Sequence, residues 1–141
     1  MSASRVNCSD YSQTIFKSRQ IMLELMKSRG FDISDYEDFN MNEIHIMAQN
    51  KQLDMLLEKM NDADQKSKVF IKYHLAKTLR PANVQEYCED LYDVEEVLGK
   101  NDDLIIIIQD APNDTINNLV KHIWDTEKKM IIVFSIKKIG R

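Results

Sequence analysis

The chain has 141 residues, 43% of them hydrophobic and 30% charged, with a formal net charge of -4 at pH 7; that is enough for one domain with a core of its own and too little for two. The negative balance argues against an autonomous binder of duplex DNA, whose affinity would come from Lys and Arg displacing counterions at phosphates, so any nucleic-acid contact is expected to be auxiliary. No apolar run approaches the roughly 20 residues of a membrane helix, residues 1–9 hold no apolar signal core, and Cys8 and Cys88 stand far apart in no CxxC spacing. The expectation is a soluble intracellular protein with free thiols, 1–141 forming a single domain and 1–9 flexible.

In chain order, Asp10 to Gln13 (DYSQ) has the form of a helix capping box, after which Ile15, Phe16, Met22, Leu23 and Met26 share one helical face until Gly30. Ser34 to Glu37 (SDYE) repeats the form, but Asn40 and Asn42 follow, which predicts a turn and then a short helix through Ile44 and Met47. Residues 53–60 and 68–74 read as a hairpin with Asn61 to Asp64 as its turn, although the first strand is equally compatible with a helix. Arg80 and Pro81 open another helix, with Val84, Tyr87, Cys88, Leu91 and Leu98 at near-helical spacing up to Gly99, Lys100 and Asn101.

Residues 104–108 (LIIII) leave no polar face, which is what a strand covered on both sides requires. Pro112 suits the first turn of a helix and Asp114 places negative charge at the positive end of its dipole; that helix is expected to bury Ile116, Leu119, Val120, Ile123 and Trp124. Residues 130–134 are a second apolar strand, so 104–134 predicts a parallel, right-handed strand–helix–strand unit. A hairpin ahead of such a unit gives an α/β fold with a mixed sheet sandwiched by helices.

The sequence is sparing with chemistry. GxxxxGK[ST], GxGxxG and HExxH are absent, and three glycines cannot build a phosphate-cradling loop. His45, His74 and His122 lack metal-ligand spacing, and Glu86, Glu89, Asp90, Asp93, Glu95 and Glu96 spread over a solvated helix face rather than gathering round a metal. Trp124 and the methionines read as core or interface filling. A mixed sheet between helices can host a two-metal nuclease of the restriction-endonuclease type, which needs an Asp on one strand and an acid-x-Lys on the next. Asp54 and Lys72 stand in suggestive places, but the second acid is replaced by Phe70. No catalytic residue, cofactor or metal is assigned.

Four segments carry a resemblance: IFKSRQIMLELMKSRGF (residues 15–31), VFIKYHL (69–75), VQEYCEDL (84–91) and LIIIIQDAP (104–112). In that order they resemble the fifth subunit shared by eukaryotic nuclear RNA polymerases, with homologues in large DNA viruses, over most of this chain. The resemblance implies the family's N-terminal jaw domain, a restriction-endonuclease-like topology without catalysis, which sits on the polymerase cleft near downstream DNA. It implies contacts with the largest and other polymerase subunits, and a DNA-proximal position for Pro112 and Asn113. It further implies a nuclear location for a cellular protein, and the virion or a cytoplasmic virus factory for a viral one. Departures are specific: the family has Gly-Met-Thr-Pro-like chemistry where this chain has Gln109, Asp110, Ala111 and Pro112, and Asp110 and Asp114 would repel phosphates, so the DNA contact is expected to be weak. Residues 93–102 exceed the family's connection. The family's small C-terminal assembly domain, entered near a His-x-x-Val-Pro-x-His-like motif, is not in this chain, which makes it a fragment or a homologue docking by another surface. The alternatives are a nuclease on the same kind of sheet, using Asp54 and Lys72, and a generic protein-interaction domain.

Overall fold

The computed structural model describes residues 2–60, 65–76 and 78–139, with side chains from residue 11 onward. Its elements are α1 (Ser2–Ser28), α2 (Met41–Gln49), β1 (Met55–Met60), β2 (Lys66–His74), α3 (Pro81–Cys88), β3 (Asp103–Ile108), α4 (Asp114–Glu127), β4 (Met130–Ser135) and α5 (Ile136–Ile139), with α3 running on into a π-helical segment, Glu89–Val94. The strands lie in the sheet in chain order, β1-β2-β3-β4; β1 is antiparallel to β2, and β2, β3 and β4 are parallel. This is the α/β class and the mixed sheet that the apolar pattern predicts.

The run 104–108 explains the layering. β3 lies between β2 and β4, and every side chain from Leu104 to Ile108 is buried. Because successive side chains of a strand point to opposite faces, the run divides between two cores. Ile105 and Ile107 pack with Val69, Ile71 and Leu57 and with α1, α2 and α5, through Met22, Ile44 and Ile136. Leu104, Ile106 and Ile108 pack with Val84, Leu91, Ile116 and Ile123 of α3, the π segment and α4. Each such isoleucine contributes about 1.5–3 kcal/mol of burial, and without either helical layer half of the run would face water.

Several boundaries differ from the sequence expectation. α1 takes in residues 2–9, expected as a flexible lead, and Asp10 lies inside it rather than at its start; residues 2–9 contain neither Gly nor Pro to break a helix. It does end at Gly30, whose φ of 94° closes the helix while its N–H donates to Lys27 O and that of Phe31 to Met26 O. The capping box of α2 is Asn40 with Glu43, not Ser34 with Glu37: Glu43 N donates to Asn40 Oδ1 and Asn40 N to Glu43 Oε1, both at 2.9 Å. Ser34 is held instead by Asp32, which accepts from its N–H and its hydroxyl.

β1 is a strand. The hairpin turn expected at 61–64, the Cys8 side chain, Gly140 and Arg141 lie outside the described residues. α3 is α-helical only to Cys88, and the widened segment ends before Gly99, because Glu96 takes a left-handed φ of 52° and the N–H of Leu98 bonds Leu91 O at 3.0 Å. Pro112 precedes α4 rather than occupying its first turn. Asn113 is the N-cap, its Oδ1 accepting from Ile116 N at 2.9 Å, and Asp114 opens the helix as expected. Trp124, expected inside, is 41% exposed. The buried stripe runs from Ile116 to Ile123, two turns apart, and the next residue is rotated about 100° away from the sheet. β4 is apolar as expected but, among the described residues, is paired on one side only, and Met130 and Phe134 are 36% and 38% exposed.

Candidate functional site

The carboxyl ends of β2 and β3 form the edge where parallel α/β sheets open crevices for ligands. Because β1 runs antiparallel to β2, with Met55 opposite Ile71, the residue before it, Asp54, arrives at the same edge. Here a cleft of about 280 Å³ is lined by Leu75, Thr78, Ile108, Asp110, Pro112 and Asn113 among others. A more open recess beside it is bounded by His74, Thr78, Arg80 and Asn83.

Pro112 and Asn113 are thus both on the cleft wall, half-buried and exposed respectively. The carbonyl oxygen of the Asn113 side chain is committed to capping α4. The loop before them is tied at both sides: Gln109 Nε2 donates to Leu75 O beyond β2, and Ser135 Oγ at the end of β4 donates to Gln109 O at 3.0 Å. Asp110, expected to repel phosphates, has Lys137 Nζ at 2.9 Å, which offsets its charge locally; the pair is exposed and adds little to stability.

Asp54 and Lys72 are brought together. Lys72 Nζ lies 2.9 Å from Asp54 Oδ2, and Tyr73 N donates to Asp54 Oδ1 at 2.8 Å, so both carboxylate oxygens are engaged. The Lys72 ammonium also sits 5.0 Å from the centre of the Tyr87 ring, and Tyr87 shares a 2.5 Å hydrogen bond with His74 Nδ1. Burial raises the Tyr87 phenol above its ordinary range, with Lys72 acting against that shift. On the other face Tyr73 is pushed up to about 12, chiefly by burial. Beside it, the Arg19 guanidinium is only 2% exposed and donates to Leu53 O at 2.6 Å; burial lowers its pKa, and Tyr73, Tyr36 and Asp54 oppose the shift. A polar seam therefore crosses the sheet from Arg19 through Asp54 to Lys72, Tyr87 and His74. Phe70, two residues before Lys72 and hence on the same face, packs into the layer of α3 and α4.

The remaining candidates are scattered. His45 Nδ1 is hydrogen-bonded to Ser12 Oγ on α1 at 2.5 Å, His122 is exposed on α4, and the acidic residues from Glu86 to Glu96 are exposed. Cys88 is a free, buried thiol that burial pushes up to about 11. Among the described residues no group of three or more His, Cys, Asp or Glu is placed to hold a metal ion, and no helix is long and apolar enough to cross a membrane.

Arg19 and Asp102 escaped the sequence reading. Arg19 stands four residues after Ile15 and three before Met22, on the apolar stripe of α1, and that placement is its signal. Asp102 accepts from Lys68 N and Gly99 N, each at 2.7 Å, through separate oxygens; its one sequence signal is its place beside Asp103 just before the apolar run. No family model matches this chain, and no curated protein matches it either.

Proposed function

We propose that this chain is a non-catalytic jaw component of a multisubunit DNA-dependent RNA polymerase, contacting the largest subunit and lying weakly against downstream duplex. The observation that carries this reading is positional. The four segments of resemblance fall in order on α1, on β2, on α3 with its π extension, and on β3 with the loop leading to Pro112. That loop lies at the open edge of the sheet, where Pro112 and Asn113 border a cleft. A non-catalytic role is further supported by the engagement of Asp54 with Lys72 and Tyr73 and by Phe70 at the position of a second acid. A nuclear site of action fits a cellular source, and the virion or a virus factory a viral one. The test is affinity purification of the tagged chain from its native source at moderate salt, read by mass spectrometry. Recovery of the large polymerase subunits is expected; recovery of other partners alone would sink the proposal. With polymerase in hand, a photo-crosslinker at position 113 is expected to label downstream duplex weakly, and less as salt rises.

A second reading rests on the 2.9 Å approach of Lys72 to Asp54 at the carboxyl edge, a pair that a two-metal nuclease could use. Magnesium-dependent cleavage of duplex DNA, abolished by Asp54→Ala, would favour it over the jaw.

A further inference from the structure

The two edges of the sheet are built differently. β1 carries Glu58 and Lys59 within the strand, and its outer side is occupied at one point by Asp32, whose N–H donates to Glu58 O at 2.9 Å in an isolated antiparallel bridge. Charged side chains and a covering segment are what edge strands use to discourage further pairing. β4 has neither. Residues 130–135 (MIIVFS) contain no charge and no proline, and the register with β3 runs unbroken from Met130 to Ser135, so no bulge twists the edge away. Among the described residues nothing pairs with its outer side, and half of a strand's backbone N–H and C=O groups face each neighbour. Met130 and Phe134 stand partly exposed on the same edge.

The charge around β4 says what can cover it. Lys128 and Lys129 precede the strand, and Lys137 and Lys138 follow it. Lys129 is held by Glu127 at 3.1 Å and Asp93 at 3.6 Å, whereas Lys128, Lys137 and Lys138 are exposed, Lys137 facing the equally exposed Asp110. A second copy fits badly: antiparallel pairing of two β4 edges brings Lys128 and Lys129, before one strand, near Lys137 and Lys138, after the other, at both ends, and gathering like charges is unfavourable. We propose that the outer edge of β4 docks an extended strand from a partner protein, apolar in the middle and acidic at both ends. Backbone hydrogen bonds would add it as a fifth strand, as in other strand-addition interfaces. The inference does not depend on the polymerase reading.

The test uses a synthetic peptide of alternating Val, Ile and Thr with two acidic residues at each end, beside versions ending in lysines and with a central proline. The acid-ended peptide is expected to bind about tenfold tighter than the lysine-ended one at low salt, the gap narrowing in high salt, and the proline version not to bind. Hydrogen exchange should slow at β4 amides and not at β1. The variant Lys128→Glu with Lys138→Glu, both on exposed positions, should reverse the peptide preference while keeping the native spectrum. Equal binding of both charged peptides, protection outside β4, or self-association of the chain through β4 would each overturn the proposal.

Discussion

At the scale of single residues, the seam through Asp54 is where polar groups displace core. Asp54 satisfies an ammonium and a backbone N–H at once, so Asp54→Ala leaves two donors without an acceptor. A loss of about 1–3 kcal/mol is expected in urea unfolding, with Lys72→Met milder because it strands no backbone group. Asp103 shows the opposite balance. Burial and then neighbouring Asp102 raise its carboxyl, with Lys59 and Arg29 acting the other way. A carboxyl whose folded pKa lies above its unfolded one favours folding while protonated and loses that contribution as pH rises through the folded value. Asp103→Asn is therefore expected to melt higher than the parent at pH 7, with the difference shrinking as pH falls through the carboxylate range; equal melting points at pH 7 would refute it. Cys88, buried and raised to about 11, holds almost no thiolate at pH 8. Its tryptic peptide should be alkylated quickly in denaturant and very slowly in the native protein, with the native rate climbing as pH approaches 11.

At the scale of elements, α1 and α2 close by one geometry with different residues. After α1 the left-handed position is Gly30; after α2 it is Lys51, with φ of 56°, where Lys51 N donates to Ala48 O and Gln52 N to Met47 O. The side chain at Lys51 bears a strain that Gly30 avoids. Gly30→Ala is expected to cost about 1 kcal/mol and Lys51→Gly to gain about 0.5–1 kcal/mol in the same denaturant titration. These closures show what could be read from the sequence. Gly30 was legible because glycine advertises a left-handed turn, and Lys51 was not, because lysine advertises nothing. The apolar run 104–108 and the stripe from Ile116 to Ile123 were legible because their period is unambiguous. The starts of α1 and α4 were misplaced because DYSQ and Pro112 each satisfy a local rule that a competing cap or an uninterrupted helix overrode. Pro112 and Asn113 are singled out in the sequence only by the resemblance, as DNA-proximal, and their place on the cleft wall comes from the fold; the seam likewise required tertiary structure to bring α1, β1 and β2 together around Asp54.

At the scale of the molecule, β3 belongs to both cores. Leu104, Ile106 and Ile108 face one helical layer, Ile105 and Ile107 the other, so neither layer can melt without exposing the strand that the other also needs. Ile106→Ala, at a position with no exposure, is expected to cost about 2–5 kcal/mol, and unfolding should remain one transition by both far-ultraviolet dichroism and Trp124 fluorescence. Separation of those two curves would mean that the layers unfold independently. The same arrangement couples the cleft to the core: Ile108 ends β3, lines the cleft and packs with Ile116 of the helix that Asn113 caps.

Strand order in this sheet equals strand order in the chain. On a ribosome, where the chain emerges from its N-terminus, each strand can therefore pair with the one that left the tunnel just before it. No strand has to be threaded between two that are already joined. β3 nevertheless spends that interval with one side bare, and the nascent sheet is completed only when β4 arrives to cover the most apolar strand of the protein.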